Sequence, residues 1–109
     1  MISVNGNNIY LTRGDSLKCH IKMYDTDGNE YTPDSTDSIR FALKRTVNDR
    51  RPLILKEIPY DTLLLSIYPE DTKELEFGNY IYDIELTTAS GVVDTFIADA
   101  KFVLTTEVH

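Results

Sequence analysis

The stretch Asp25-Thr26-Asp27-Gly28-Asn29-Glu30 places acids and other oxygen donors close together, as a calcium loop does. An EF-hand loop takes its glycine at the sixth position and a glutamate at the twelfth. Counted from Asp25, glycine comes fourth and the twelfth residue is Thr36. A plain hairpin turn accounts for the stretch, because Asp, Gly and Asn all tolerate positive φ. Arg13-Gly14-Asp15 spells the adhesion tripeptide. Three-residue matches arise often by chance, and Gly14-Asp15 already suits a turn. His20 and His109 are isolated from one another, whereas a metal site needs three or four converging ligands. Ser16, Ser66 and Ser90 lie in turn or strand contexts with no glycine-flanked elbow, and a serine nucleophile needs a base and an orienting acid. The five glycines are scattered singly, so no phosphate-cradling loop is expected. Paired carboxylates are plentiful, but an acidic chain supplies them without design, and here they fall in expected turns. The reading is therefore of a protein that is not an enzyme, with no catalytic residue, no metal and no cofactor.

Arg45, Arg50 and Arg51, with Lys44 beside them, form a basic island in an otherwise acidic chain. Arginine is enriched at protein interfaces, so these three residues are the expected protein-contact residues. Seven tyrosines add to this, since tyrosine joins apolar area to a hydroxyl.

The elements that position these residues are short strands. Tyr80, Tyr82, Ile84 and Leu86 share one parity, while Asp83 and Glu85 take the other. Successive side chains of a strand point to opposite faces, so this segment has one apolar and one mostly charged face. The same alternation marks Leu17–Tyr24, with Leu17, Cys19, Ile21 and Met23 inward, and Ser38–Lys44, with Ile39, Phe41 and Leu43 inward. Further strands are expected at Ile2–Val4, Ile9–Leu11, Leu53–Ile58, Leu63–Tyr68, Val92–Ala98 and Ala100–Thr105, with a short return strand beginning at Glu30. Asn5-Gly6-Asn7-Asn8 signals a hairpin, Asp99 a bulge or bend, and Pro69–Leu75 one helical turn opened by Pro69, Glu70 and Asp71. Thr46–Pro52 is polar and aperiodic, an exposed loop or hairpin tip.

Seven to nine short strands with turns every 8 to 12 residues predict an all-β fold, an immunoglobulin-like antiparallel β-sandwich. Sandwiches of this kind carry a tyrosine near the start of the penultimate strand, bonded back to the preceding corner. Tyr80 or Tyr82 is placed for that role, although the chain has no tryptophan and one cysteine, and so lacks the Cys-Trp-Cys set of antibody domains.

The 109 residues predict a single domain spanning 1–109. The net charge of −7 disfavours binding to nucleic-acid phosphates or anionic membranes. Cys19 is expected to be a buried, unreactive hydrophobe, and one cysteine fits synthesis in a reducing cytosol. No signal peptide or membrane-spanning run is expected.

Several segments, in order, carry a resemblance. They are Ile9–Ser16, Asp25–Tyr31, Asp37–Lys44, Ile67–Thr72 and Gly78–Ile84. Together they resemble small immunoglobulin-like domains of phages and prophages of Gram-positive bacteria, and are similar to the N-terminal domains of phage baseplate upper proteins. The resemblance implies a virion structural or assembly protein of tail or baseplate type, made in the bacterial cytoplasm and located in the virion. Its implied partners are other virion or tail proteins, with a homo-oligomer as one option, and neither nucleic acid nor membrane. With no fibre or coiled-coil segment before His109, an accessory or adaptor role is expected. The alternative is a small ligand- or carbohydrate-binding module using exposed tyrosines, which the lack of tryptophan weakens.

Overall fold

The computed structural model describes residues 2–5, 8–24, 27–46 and 48–106, and of residues 2–5 and 96–99 the backbone alone. The described chain is all-β apart from one helical turn. The strands are β1 (Ile2–Asn5), β2 (Asn8–Thr12), β3 (Leu17–His20), β4 (Met23–Tyr24), β5 (Glu30–Tyr31), β6 (Ser38–Lys44), β7 (Ile54–Ile58), β8 (Leu64–Ile67), β9 (Gly78–Thr87) and β10 (Val93–Thr105), with α1 (Pro69–Thr72) between β8 and β9. Six strands form one sheet in the order β1-β2-β10-β9-β6-β7, β3 pairs with β8, and β4 with β5. Leu17, Leu65 and Ile67 of the β3–β8 pair join Ile9, Leu11, Phe41, Tyr82, Ile84 and Phe102 of the large sheet in one buried cluster. The β3–β8 pair thus covers the inner face of the six-stranded sheet.

Alternation built these elements. In β9, Tyr80, Tyr82, Ile84 and Leu86 are all buried, and in β6 so are Ile39, Phe41 and Leu43. Phe41 anchors the centre, its ring 5.2 Å from that of Tyr82 and 6.4 Å from that of Phe102. Aromatic pairs at such separations add to the stabilisation from burial alone.

The structure differs from the sequence reading in four places. The pairing is not wholly antiparallel, because β2 runs parallel to β10, with Leu11 beside Leu104. The expected strand Leu17–Tyr24 is divided between β3 and β4. At the division the Ile21 N–H donates to the Leu63 carbonyl at 2.9 Å, and Leu63 takes φ 51° to present it. A leucine in this left-handed region is strained by roughly 1–2 kcal/mol, so the bend is held by its hydrogen bonds and packing. Cys19 is half-buried and free, because it sits where β3 leaves the centre of the core. The two expected pieces Val92–Ala98 and Ala100–Thr105 are one strand, β10. Its register against β9 slips between Thr95 and Ile97 and again between Ile97 and Ala100, so Asp99 falls in a bulge. The expected hairpins are present: Asn5 faces Asn8, and Tyr24 faces Glu30 with Gly28 at φ 84° in the connection. Of the calcium-like stretch, Asp25 and Thr26 lie outside the described residues, as do Val47 and His109.

Candidate contact surface

The β6–β7 turn carries the basic island. Asp49 organises it: one carboxylate oxygen accepts the backbone N–H groups of Arg45 and Thr46, each at 3.1 Å. The Leu53 N–H then donates to the Leu43 carbonyl at 2.7 Å and closes the turn onto the strand ladder. A short acidic side chain that caps backbone donors is the usual way such a turn is fixed.

The structure separates the three predicted contact residues. Arg45 is engaged within the chain. Its guanidinium lies 3.5 Å from the Glu76 carboxylate and 5.7 Å from the centre of the Tyr80 ring. Tyr80 in turn donates its hydroxyl to the Glu76 carbonyl at 2.5 Å, four residues upstream. Arg45 therefore braces the corner that leads into β9. Arg50 and Arg51 are exposed, and neither has a hydrogen bond or ion pair among the described residues. Beyond them Leu53 and Leu55 are 45% and 56% exposed. Among the described residues the turn thus offers two unpaired guanidinium groups beside exposed Leu53, with exposed Leu55 following on β7.

β7 is an edge strand, and one of its inward positions is charged. Lys56 stands between buried Ile54 and Ile58, and its ammonium meets the Asp71 carboxylate at 2.9 Å. Asp71 also accepts the Tyr68 N–H at 2.8 Å, opening α1. Lys56 and Lys18 approach the Tyr68 ring at 5.6 and 5.9 Å. Sequence reasoning passed over this cluster because Lys56 looked like an ordinary polar residue of a strand. The one signal was its parity, shared with Ile54 and Ile58.

The other flagged motifs have local roles. Arg13 stacks 4.2 Å over Phe77 and donates to the Leu75 carbonyl at 3.4 Å, while the Asp15 N–H bonds to Thr12 to close the turn at Gly14. His20 Nδ1 lies 3.1 Å from the Thr62 carbonyl. Asp34 accepts the hydroxyl and the N–H of Thr36, which hold its carboxyl below the usual range. The Tyr31 hydroxyl donates to Asp37 at 2.8 Å, and that bond, ahead of burial and the charge of Asp37, raises the phenol's pKa. A shallow cleft of about 480 Å³ is lined by Arg13, Gly14, Pro69, Glu70 and Lys73. It brings together two cations and one acid, and no nucleophile with a base.

Compared with models of protein families, with curated proteins and with solved structures, the chain matches none.

Proposed function

We propose that this chain is a non-catalytic virion structural or assembly protein of phage or prophage origin, of tail or baseplate type, acting through protein–protein contacts on an immunoglobulin-like sandwich. The observation that carries the reading is the β6–β7 turn. Asp49 caps the Arg45 and Thr46 N–H groups there, and the described residues leave Arg50, Arg51, Leu53 and Leu55 exposed. Arginine beside apolar area on a preorganised turn has the composition of an interface hot spot. The sandwich part is supported by strand order. The order β7-β6-β9-β10 in one sheet, with the β3–β8 pair facing it, suits such a sandwich, and the Tyr80 bond to the Glu76 carbonyl suits its corner tyrosine. The resemblance of the ordered segments to baseplate domains supplies the virion setting.

Mass spectrometry of purified particles from the encoding element tests this directly. The protein is expected in intact particles, and Arg50→Glu/Arg51→Glu is expected to reduce its incorporation at least tenfold while the purified variant still folds. Its absence from intact particles would defeat the proposal.

A further inference from the structure

The arginines of this protein gather at one end of the strand axis, where Asp49 is taken up by the Arg45 and Thr46 N–H groups and Glu76 by the Arg45 guanidinium. β6 ends at Lys44, and the turn after it carries Arg45, Arg50 and Arg51. Arg13 reaches the same end, because its N–H bonds to the Thr105 carbonyl at the close of β10. Of the five arginines in the chain, only Arg40 lies elsewhere, within β6.

The opposite end is where β6 begins at Ser38. β5 and the turn through Asp34 and Asp37 lead into it, and Tyr31 is bonded to Asp37. Ile58 pairs with Ile39, so Tyr60 and Asp61 emerge there too. Asp94, at the start of β10, pairs with Leu86 of β9, which in turn pairs with Ile39 near the start of β6. Glu30, Asp34, Asp37, Asp61 and Asp94 therefore share one end, roughly 20 Å from the arginine turn at the usual strand rise over the seven residues of β6. That end also exposes aromatic area, with Tyr24 at 53% and Tyr60 at 42%.

The exposed Arg50–Arg51 turn and the opposite end are complementary. One presents free guanidinium groups and an uncovered leucine, and the other presents carboxylates and tyrosine rings. Guanidinium groups bind carboxylates in bidentate pairs and stack on aromatic faces. We propose that the chain docks head to tail onto a second copy of itself, the Arg50–Arg51 turn of one copy entering the acidic, tyrosine-bearing end of the next. This rests on the reading of the turn as a contact surface and names its partner. The contact is heterologous, so it does not stop at a dimer: it builds rings or open chains according to the rotation between copies.

Opposite charges steer such a contact, and salt weakens it. Sedimentation velocity at about 20 mM salt is expected to show a weight-average mass that rises past two protomers between about 10 μM and 1 mM protein. At about 0.5 M salt the mass is expected to return to that of the monomer. Two surface variants test the pairing. Arg50→Glu/Arg51→Glu reverses the head, and Glu30→Lys/Asp61→Lys reverses the tail. Each alone is expected to be monomeric with an unchanged circular dichroism spectrum, while an equimolar mixture associates again, because each reversed end meets its complement.

A wild-type chain that stays monomeric at low salt overturns the proposal. Association that ignores both reversals overturns it as well. If the wild type is monomeric yet present in purified particles, the copy-to-copy contact falls and the assembly role stands. If it associates as described yet is missing from particles, the contact stands and the assembly role falls.

Discussion

Tyr80 and Tyr82 lie two residues apart on the buried face of β9, and each gives its hydroxyl a different consequence. Tyr80 reaches the corner and donates to the Glu76 carbonyl. Replacing Tyr80 with Phe keeps the ring and removes that bond. Glu76 is exposed, so water takes over the carbonyl and the expected loss is about 1 kcal/mol, a fall of roughly 4 °C in Tm. Tyr82 is enclosed beside Phe41, and burial first, then the charge of Cys19, pushes its pKa up to about 12. The folded pKa exceeds the unfolded value of 10.0, so the fold holds the neutral phenol more tightly. That contribution is complete below pH 10 and is lost as pH rises from 10 towards about 12, amounting to roughly 2–3 kcal/mol. Urea denaturation at stepped pH should show the wild type losing this much relative to Tyr82→Phe across the window. Parallel curves for the two proteins would refute the assignment. Parity in the sequence identified both residues as inward. It did not choose between them for the corner, because that depends on where the strand starts relative to Glu76, and strand ends are set by hydrogen bonding that alternation does not encode.

At the scale of elements, β7 shows how this protein protects an open edge. An unpaired strand is a template for aggregation, and an inward-pointing charge is one of the devices that prevents it. Lys56 is such a charge, and Asp71 keeps it from being stranded in an apolar setting. Lys56→Val would complete the apolar face of β7 and leave Asp71 with its bond to the Tyr68 N–H. Thermodynamic stability is expected to change by less than about 1 kcal/mol, since a partly exposed ion pair contributes little net. Light scattering at high protein concentration is expected to rise, because the edge is then free to pair. Unchanged scattering would show that the edge is guarded by something else. The strands themselves were legible: β6 and β9 follow alternation residue by residue. The parallel pairing of β2 with β10 was not, since it joins segments more than ninety residues apart and leaves no short-range signal. Nor was the bend after β3, because Leu17, Ile21 and Met23 are buried on either side of it and the parity runs on unbroken.

For the whole molecule, the question is whether the strands stand or fall together. The basic island could be read from consecutive residues, but the acidic end needed the topology, which brings Glu30 of β5, Asp61 of the β7–β8 turn and Asp94 of β10 to one end. The core is likewise a property of the assembled chain. Leu17 and Ile67 from the small sheet share one cluster with Leu11, Ile84 and Phe102 from the large one. Neither sheet keeps its buried face covered once the other leaves, so partial unfolding would expose the same apolar surface as complete unfolding. A single calorimetric transition is therefore expected, with an enthalpy near 75 kcal/mol by the usual per-residue scaling, measured at salt high enough to suppress association. Phe41→Ala makes the sharper test. Phe41 touches partners on β9 and β10 at the centre of the cluster. Its loss should cost about 3–5 kcal/mol and move one transition downward as a unit. If the variant instead melts in two steps, with one step unmoved, the sheets are separate cooperative units and the single-domain reading fails.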